Sequence, residues 1–120
     1  MKEEIARALA QDRVIDITTT GRRSGEPRRI EIWFHNVDGR LFISGLPGKR
    51  SWYANLVANP AFIFHLKESA QADLPARATP ILDEAARRAV LTKITANVGR
   101  AADLDLWVRG SPLVELFLDA

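Results

Sequence analysis

A chain of 120 residues with 47% hydrophobic and 27% charged side chains is long enough for one core and too short for two. It has no cysteine, which excludes disulfides, thiolate nucleophiles and cysteine-bound metals, and no apolar run near the ~20 residues of a membrane span. The net charge of +2 hides an uneven distribution: residues 21–50 hold seven basic side chains against three acids, whereas residues 101–120 hold Arg109 against four acids.

The N-terminal stretch MKEEIARALAQDR is charged and amphipathic, with Ile5 and Leu9 one turn apart. That pattern predicts a short helix over 2–11 rather than a secretory signal, so the expectation is a single cytoplasmic domain over 1–120. Residues 13–19, rich in Val, Ile and Thr, read as a strand, and Gly21, Gly25 and Pro27 then turn the chain. Residues 28–37 alternate, with Ile30, Ile32 and Phe34 on one face and Glu31, Trp33 and His35 on the other. Asp38-Gly39 is a hairpin turn, and residues 40–44 return as a third strand. A loop, GLPGKR, leads into a helix at Ser51 that Asn59-Pro60 stops. Residues 61–66 form a fourth strand, and residues 72–81 a fifth whose prolines predict an edge or a bulge. Asp83 caps a helix closed by Gly99, and the final SPLVELFLDA fits helix or strand. Five or six strands with two or three helices predict an α+β fold: a small antiparallel barrel in which the first three strands form a meander.

No catalytic triad is evident. His35 and His65 fall inside strands, where packing or hydrogen bonding explains them, the carboxylates are scattered, and no metal-ligand spacing occurs. Two basic connections carry more. GRRSGEPRR combines glycines, which let backbone N–H groups face inward, with arginines that grip an anion in bidentate fashion. GLPGKRS sets a basic pair before a helix N-terminus and lacks Walker A spacing. Each alone is weak evidence, since an arginine-rich turn is more often a solvated surface loop and glycine-rich loops before helices are common. Together they fit one elongated anionic ligand, with Trp52 and Tyr53 either covering a flat ring or, with Leu56, forming the buried helix face.

The paired segments TTTGRRSGEPR and SWYANLVANP, separated by an alternating strand and a glycine-bearing loop, resemble the deazaflavin-dependent nitroreductase and quinone reductase family. The resemblance implies a split β-barrel of the FMN-binding type and the deazaflavin F420 as cofactor. It assigns Arg22, Arg23, Ser24, Gly25 and Arg28 to the phosphate and acidic tail. Ser44, Gly45, Gly48 and Lys49 would approach the ring and ribityl chain, with Trp52 and Tyr53 as a pocket wall. The implied chemistry is hydride transfer to a quinone, nitro compound or activated alkene, with no catalytic side chain and no metal. Two departures bear on the substrate. Gly45 stands where better-known members often have lysine, with Lys49 four residues later, and the late tyrosines of some members are absent, leaving Tyr53 and Trp107. The alternatives are the same fold with FMN, or a non-catalytic carrier of flavin, haem or fatty acid. Nucleic acid is not an expected partner at this net charge; a small hydrophobic substrate is, and so is a homodimer with Trp33 and His35 at its interface.

Overall fold

The computed structural model describes residues 1–119. Helix α1 (Glu3–Gln11) precedes strands β1 (Val14–Thr20), β2 (Pro27–Trp33), β3 (His35–Val37) and β4 (Arg40–Ser44). Helix α2 (Ser51–Ala58), strands β5 (Ala61–Leu66) and β6 (Ala72–Pro80), helix α3 (Glu84–Asn97), helix α4 (Leu104–Gly110) and strand β7 (Leu113–Leu118) complete the fold. All seven strands form one antiparallel sheet in the order β2-β1-β5-β6-β7-β4-β3.

The two ends of that order are joined by a single residue, Phe34. The sequence-expected strand 28–37 is therefore one bent strand. Its first half pairs with β1 and its second with β4, and this curls the sheet into a split barrel. The bend has a visible cause. Phe34 is buried in the barrel interior, its ring edge-on to Phe64 at 5.2 Å, and its N–H donates to the Arg13 carbonyl at 3.0 Å rather than to a strand partner. The expected meander is present, broken at this kink.

Inside the barrel, the alternating residues Ile15, Ile17, Leu41, Ile43, Phe62, Phe64, Val114 and Leu116 meet Leu9 of α1 and Leu56 of α2. On the outside, α3 and α4 cover β3, β4 and the start of β7 through Val90, Leu91, Ile94, Trp107 and Val108 against Val37, Phe42 and Leu113. Asp83 caps α3 by accepting from the Ala86 N–H at 2.9 Å, and Gly99, at φ +74°, ends the helical region.

Two expectations need correction. Residues 72–80 form no edge, because β6 lies between β5 and β7. Pro75 is tolerated there because it sits just past the end of the β7 ladder. Its carbonyl accepts from the Asp119 N–H at 2.9 Å, and the missing proline N–H falls where no strand residue needs it. The α-helix count is four among the described residues, not two or three, with a short 3-10 helix (Ala101–Asp103) besides. Helix α4 spans only seven residues and has no side-chain cap, so local sequence marks it weakly. Packing of Trp107 and Val108 supports it, as does Arg87 of α3. That buried guanidinium donates to the carbonyls of Ile81, Trp107, Val108 and Ser111 at 2.7–3.1 Å.

On the outer face of β1, β2 and β5, Asp16 accepts from Arg29 at 3.0 Å and from Lys67 at 2.7 Å. Beside it, His65 is buried between Thr18 (2.7 Å at Nε2) and Asp73 (2.6 Å at Nδ1). With Asp73 accepting from Nδ1–H, Nε2 accepts the Thr18 hydroxyl. The chain resembles a hydrolytic triad in residue type, but none of its members lines either cavity described below.

Candidate cofactor site

The turn between β1 and β2 is closed by its own backbone. Gly21 N–H donates to the Glu26 carbonyl at 2.8 Å, Gly25 N–H to the Gly21 carbonyl at 2.9 Å, and Ser24 Oγ accepts from Glu26 N–H at 3.1 Å. Glycine at 21 is required by close approach, since a Cβ there would stand 2.5 Å from Ser24 Oγ. Gly25 sits at φ +71°, the left-handed region that glycine adopts most easily.

Because the backbone closes the turn, its arginines are released for different tasks. Arg22 is fastened to α2: its backbone N–H and Nη1 both donate to Asn55 Oδ1, at 3.1 and 3.0 Å. Asn55 is itself buried and reaches Thr19 Oγ1 at 3.4 Å. Arg29 turns to the outer face and pairs with Asp16. Arg23 and Arg28 have no hydrogen-bond or ion-pair partner among the described residues, and both line a cavity of about 500 Å³ between the turn and α2. Ser51 and Trp52 of α2 line it as well. The first turn of that helix has neither a side-chain cap nor an acidic residue, so its free N–H groups and positive dipole end are uncompensated by protein. Ile30, 37% exposed, gives an apolar floor. Among the described residues, no histidine or carboxylate lines the cavity. Two unpaired guanidinium groups, a bare helix start and an apolar wall suit a ligand with an anionic end and a flat apolar body.

The loop between β4 and α2 behaves differently. Arg50 folds back on it, donating to the carbonyls of Lys49 at 2.9 Å and Leu46 at 3.0 Å. Gly48, at φ +134°, donates to the Gly110 carbonyl at 3.0 Å. Gly48, Lys49 and Tyr53 line a second cavity, of about 540 Å³, which shares no lining residue with the first. Ser44 is buried and donates to the Pro112 carbonyl at 2.6 Å; neither Ser44 nor Gly45 lines either cavity.

The residues that sequence grouped around one ligand thus fall into separate places. Arg22, Arg23, Ser24, Arg28 and Trp52 meet in the first cavity, over the turn that Gly25 shapes. Trp52 and Tyr53, T-shaped at 6.1 Å between ring centroids, face different cavities. Trp52 also joins the core with Leu56, so it both packs and lines. Sequence reasoning missed Thr19, Ile30, Ser51 and Asn55. Asn55 had a signal: an amide three residues after Trp52 and beside Leu56 falls on the buried stripe, where it must find partners.

The family model for F420H(2)-dependent quinone reductases matches residues 1–108. The chain belongs to that family. It is an oxidoreductase whose cofactor is F420. The family match does not favour the FMN or carrier alternatives. Among solved structures, a conserved hypothetical protein from Mycobacterium tuberculosis is similar with a TM-score of 0.76 at 18% identity, over 100% of this chain and 82% of that one. A FAD-binding protein from Mesorhizobium loti is similar at 0.71 and 15% identity, over 100% and 91%. An F420-H2-dependent reductase is similar at 0.60 and 20% identity, over 88% and 95%. At these identities the reductase shares their fold, a split barrel. None of its helices, among the described residues, is long and apolar enough to cross a membrane.

Proposed function

We propose that the cavity between the β1–β2 turn and α2 holds the phosphate-bearing end of F420 and presents the cofactor to a small hydrophobic acceptor, a quinone by the family's designation. The observation that carries this reading is the pair of unpartnered guanidinium groups, Arg23 and Arg28, opposite an uncapped helix start. F420, when bound, supplies the hydride chemistry. The chain's own residues bind and orient. Arg23 and Arg28 neutralise the anion, Ser24 and Ser51 offer short polar contacts, and the Arg22–Asn55 clasp fixes the turn against α2. Trp52 and Ile30 exclude water from one side. The absence of acid–base side chains from the lining, among the described residues, agrees with a protein that positions a reactive cofactor. Lys49 and Tyr53 line the second cavity and take a separate part, developed below.

A homodimer is the assembly we favour. Trp33 is 48% exposed under the Arg13 guanidinium, 5.3 Å from its ring centroid, and a structural neighbour at 21% identity and TM-score 0.62 is described as a domain-swapped dimer.

The test is a fluorescence titration of F420 into the wild-type protein and the Arg23→Ala/Arg28→Ala variant, with FMN titrated separately. Two lost charge-assisted contacts should weaken F420 binding about 100-fold or more. Unchanged affinity in the variant would overturn the assignment of this cavity.

A further inference from the structure

The second cavity has features that cofactor binding in the first does not use. Three cations line it and, among the described residues, no carboxylate does. Lys49 and Arg109 have no side-chain partner among the described residues. Asp105, which feels the Arg109 charge, bonds instead to Arg88 at 2.8 Å. Arg87, in the wall, meets only neutral carbonyls, so its charge is not cancelled locally. The Ser111 hydroxyl, in a residue 4% exposed, is the one buried side-chain polar atom without a partner among the described residues, and Ser111 lines this cavity. A buried polar group left unpaired is destabilising, which makes such a group a pointer to something that pairs with it. The remaining wall is Tyr53, Leu82 and Pro112, apolar or aromatic surface. A volume near 540 Å³ falls within the roughly 300–1,000 Å³ of small-molecule sites.

We infer that this cavity is a second ligand site, for a small organic anion. A carboxylate would lie between Lys49 and Arg109, beside Ser111, and an aromatic or alicyclic body would lie along Tyr53, Leu82 and Pro112. Inorganic phosphate alone would leave the apolar wall unused. The inference goes beyond the cofactor reading and stands whether or not F420 occupies the first cavity.

The probe is 2-naphthoate, titrated calorimetrically into the full chain, with neutral 2-naphthol as its uncharged counterpart. The expected results are saturable naphthoate binding and at least tenfold weaker naphthol binding. Binding should also weaken at least tenfold in Lys49→Met/Arg109→Met, less in Ser111→Ala, and stay unchanged in Arg23→Ala/Arg28→Ala. Neither Lys49 nor Arg109 belongs to a core cluster, and circular dichroism checks the fold of each variant. Should the double variant fail to fold, Arg109→Gln alone must still weaken binding severalfold. The inference is overturned if naphthoate does not bind the wild-type protein, if binding survives loss of both cations, or if it is lost with Arg23 and Arg28. That last result would place the anion in the first cavity. A failure of F420 to bind, with naphthoate binding intact, would refute only the cofactor's placement.

Discussion

The two basic, glycine-bearing connections look alike in sequence and do opposite things in the fold. In the β1–β2 turn, backbone hydrogen bonds and Ser24 close the loop, so Arg23 and Arg28 keep their charge free at the cavity. In the β4–α2 loop, the arginine does the closing: Arg50 satisfies two carbonyls, and only Lys49 is left to face a ligand. Local charge density is therefore a poor measure of anion-binding capacity. What counts is which cations the surrounding hydrogen bonds leave unpaired, and that depends on who satisfies the carbonyls and N–H groups of the loop.

The largest effect should separate the two connections directly. Arg23→Ala/Arg28→Ala should weaken F420 binding about 100-fold with chemical stability within about 0.5 kcal/mol, while Arg50→Ala should do the reverse. If Arg50→Ala removed cofactor affinity as strongly, the contrast would collapse. Next comes the clasp. Asn55→Ala strips Arg22 of two hydrogen bonds and Thr19 of one, so urea denaturation should show a loss of about 2–3 kcal/mol. Asn55→Asp should restore much of that stability through Arg22 yet weaken F420 binding, because it adds a carboxylate to the anion's cavity. Equal affinity in both variants would show that Asn55 acts on ligand binding through turn position alone.

A pH series probes stability away from both connections. Burial first, and the Arg13 charge second, pull the His35 imidazole from 6.5 to about 4. Between those values the unfolded chain binds a proton that the fold refuses. Stability should be full above about pH 6.5 and fall by up to about 2 kcal/mol by about pH 4.5. His35→Gln should flatten that slope in thermal melts. Asp16, held below the usual carboxylate range chiefly by its Lys67 hydrogen bond, should add a further loss only as pH drops below about 4. The smallest effect is on Gly48. A Cβ there would meet Arg50 Nη1 at 2.9 Å in a backbone conformation that side chains rarely adopt, so Gly48→Ala should cost about 1–2 kcal/mol with F420 affinity unchanged.

Periodicity and turn chemistry in the sequence determined most strands, the Asp83-capped helix, the hairpin at Asp38-Gly39 and the two basic connections, because those signals are local. The motif pair also sufficed for the family, which the match over residues 1–108 bears out. Other features depended on distant contacts. Phe34 bends its strand because the barrel interior takes its ring, β6 is central because β7 returns beside it, and α4 exists because Trp107, Val108 and Arg87 support it. Sequence could count the arginines of the turn. Only the tertiary structure decided that Asp16 takes Arg29, that Asn55 takes Arg22, and that Trp52 and Tyr53, consecutive on α2, line different cavities. Pairing across 13 or 33 residues is set by which strands and helices become neighbours, and a chain's local pattern carries no record of its neighbours in space.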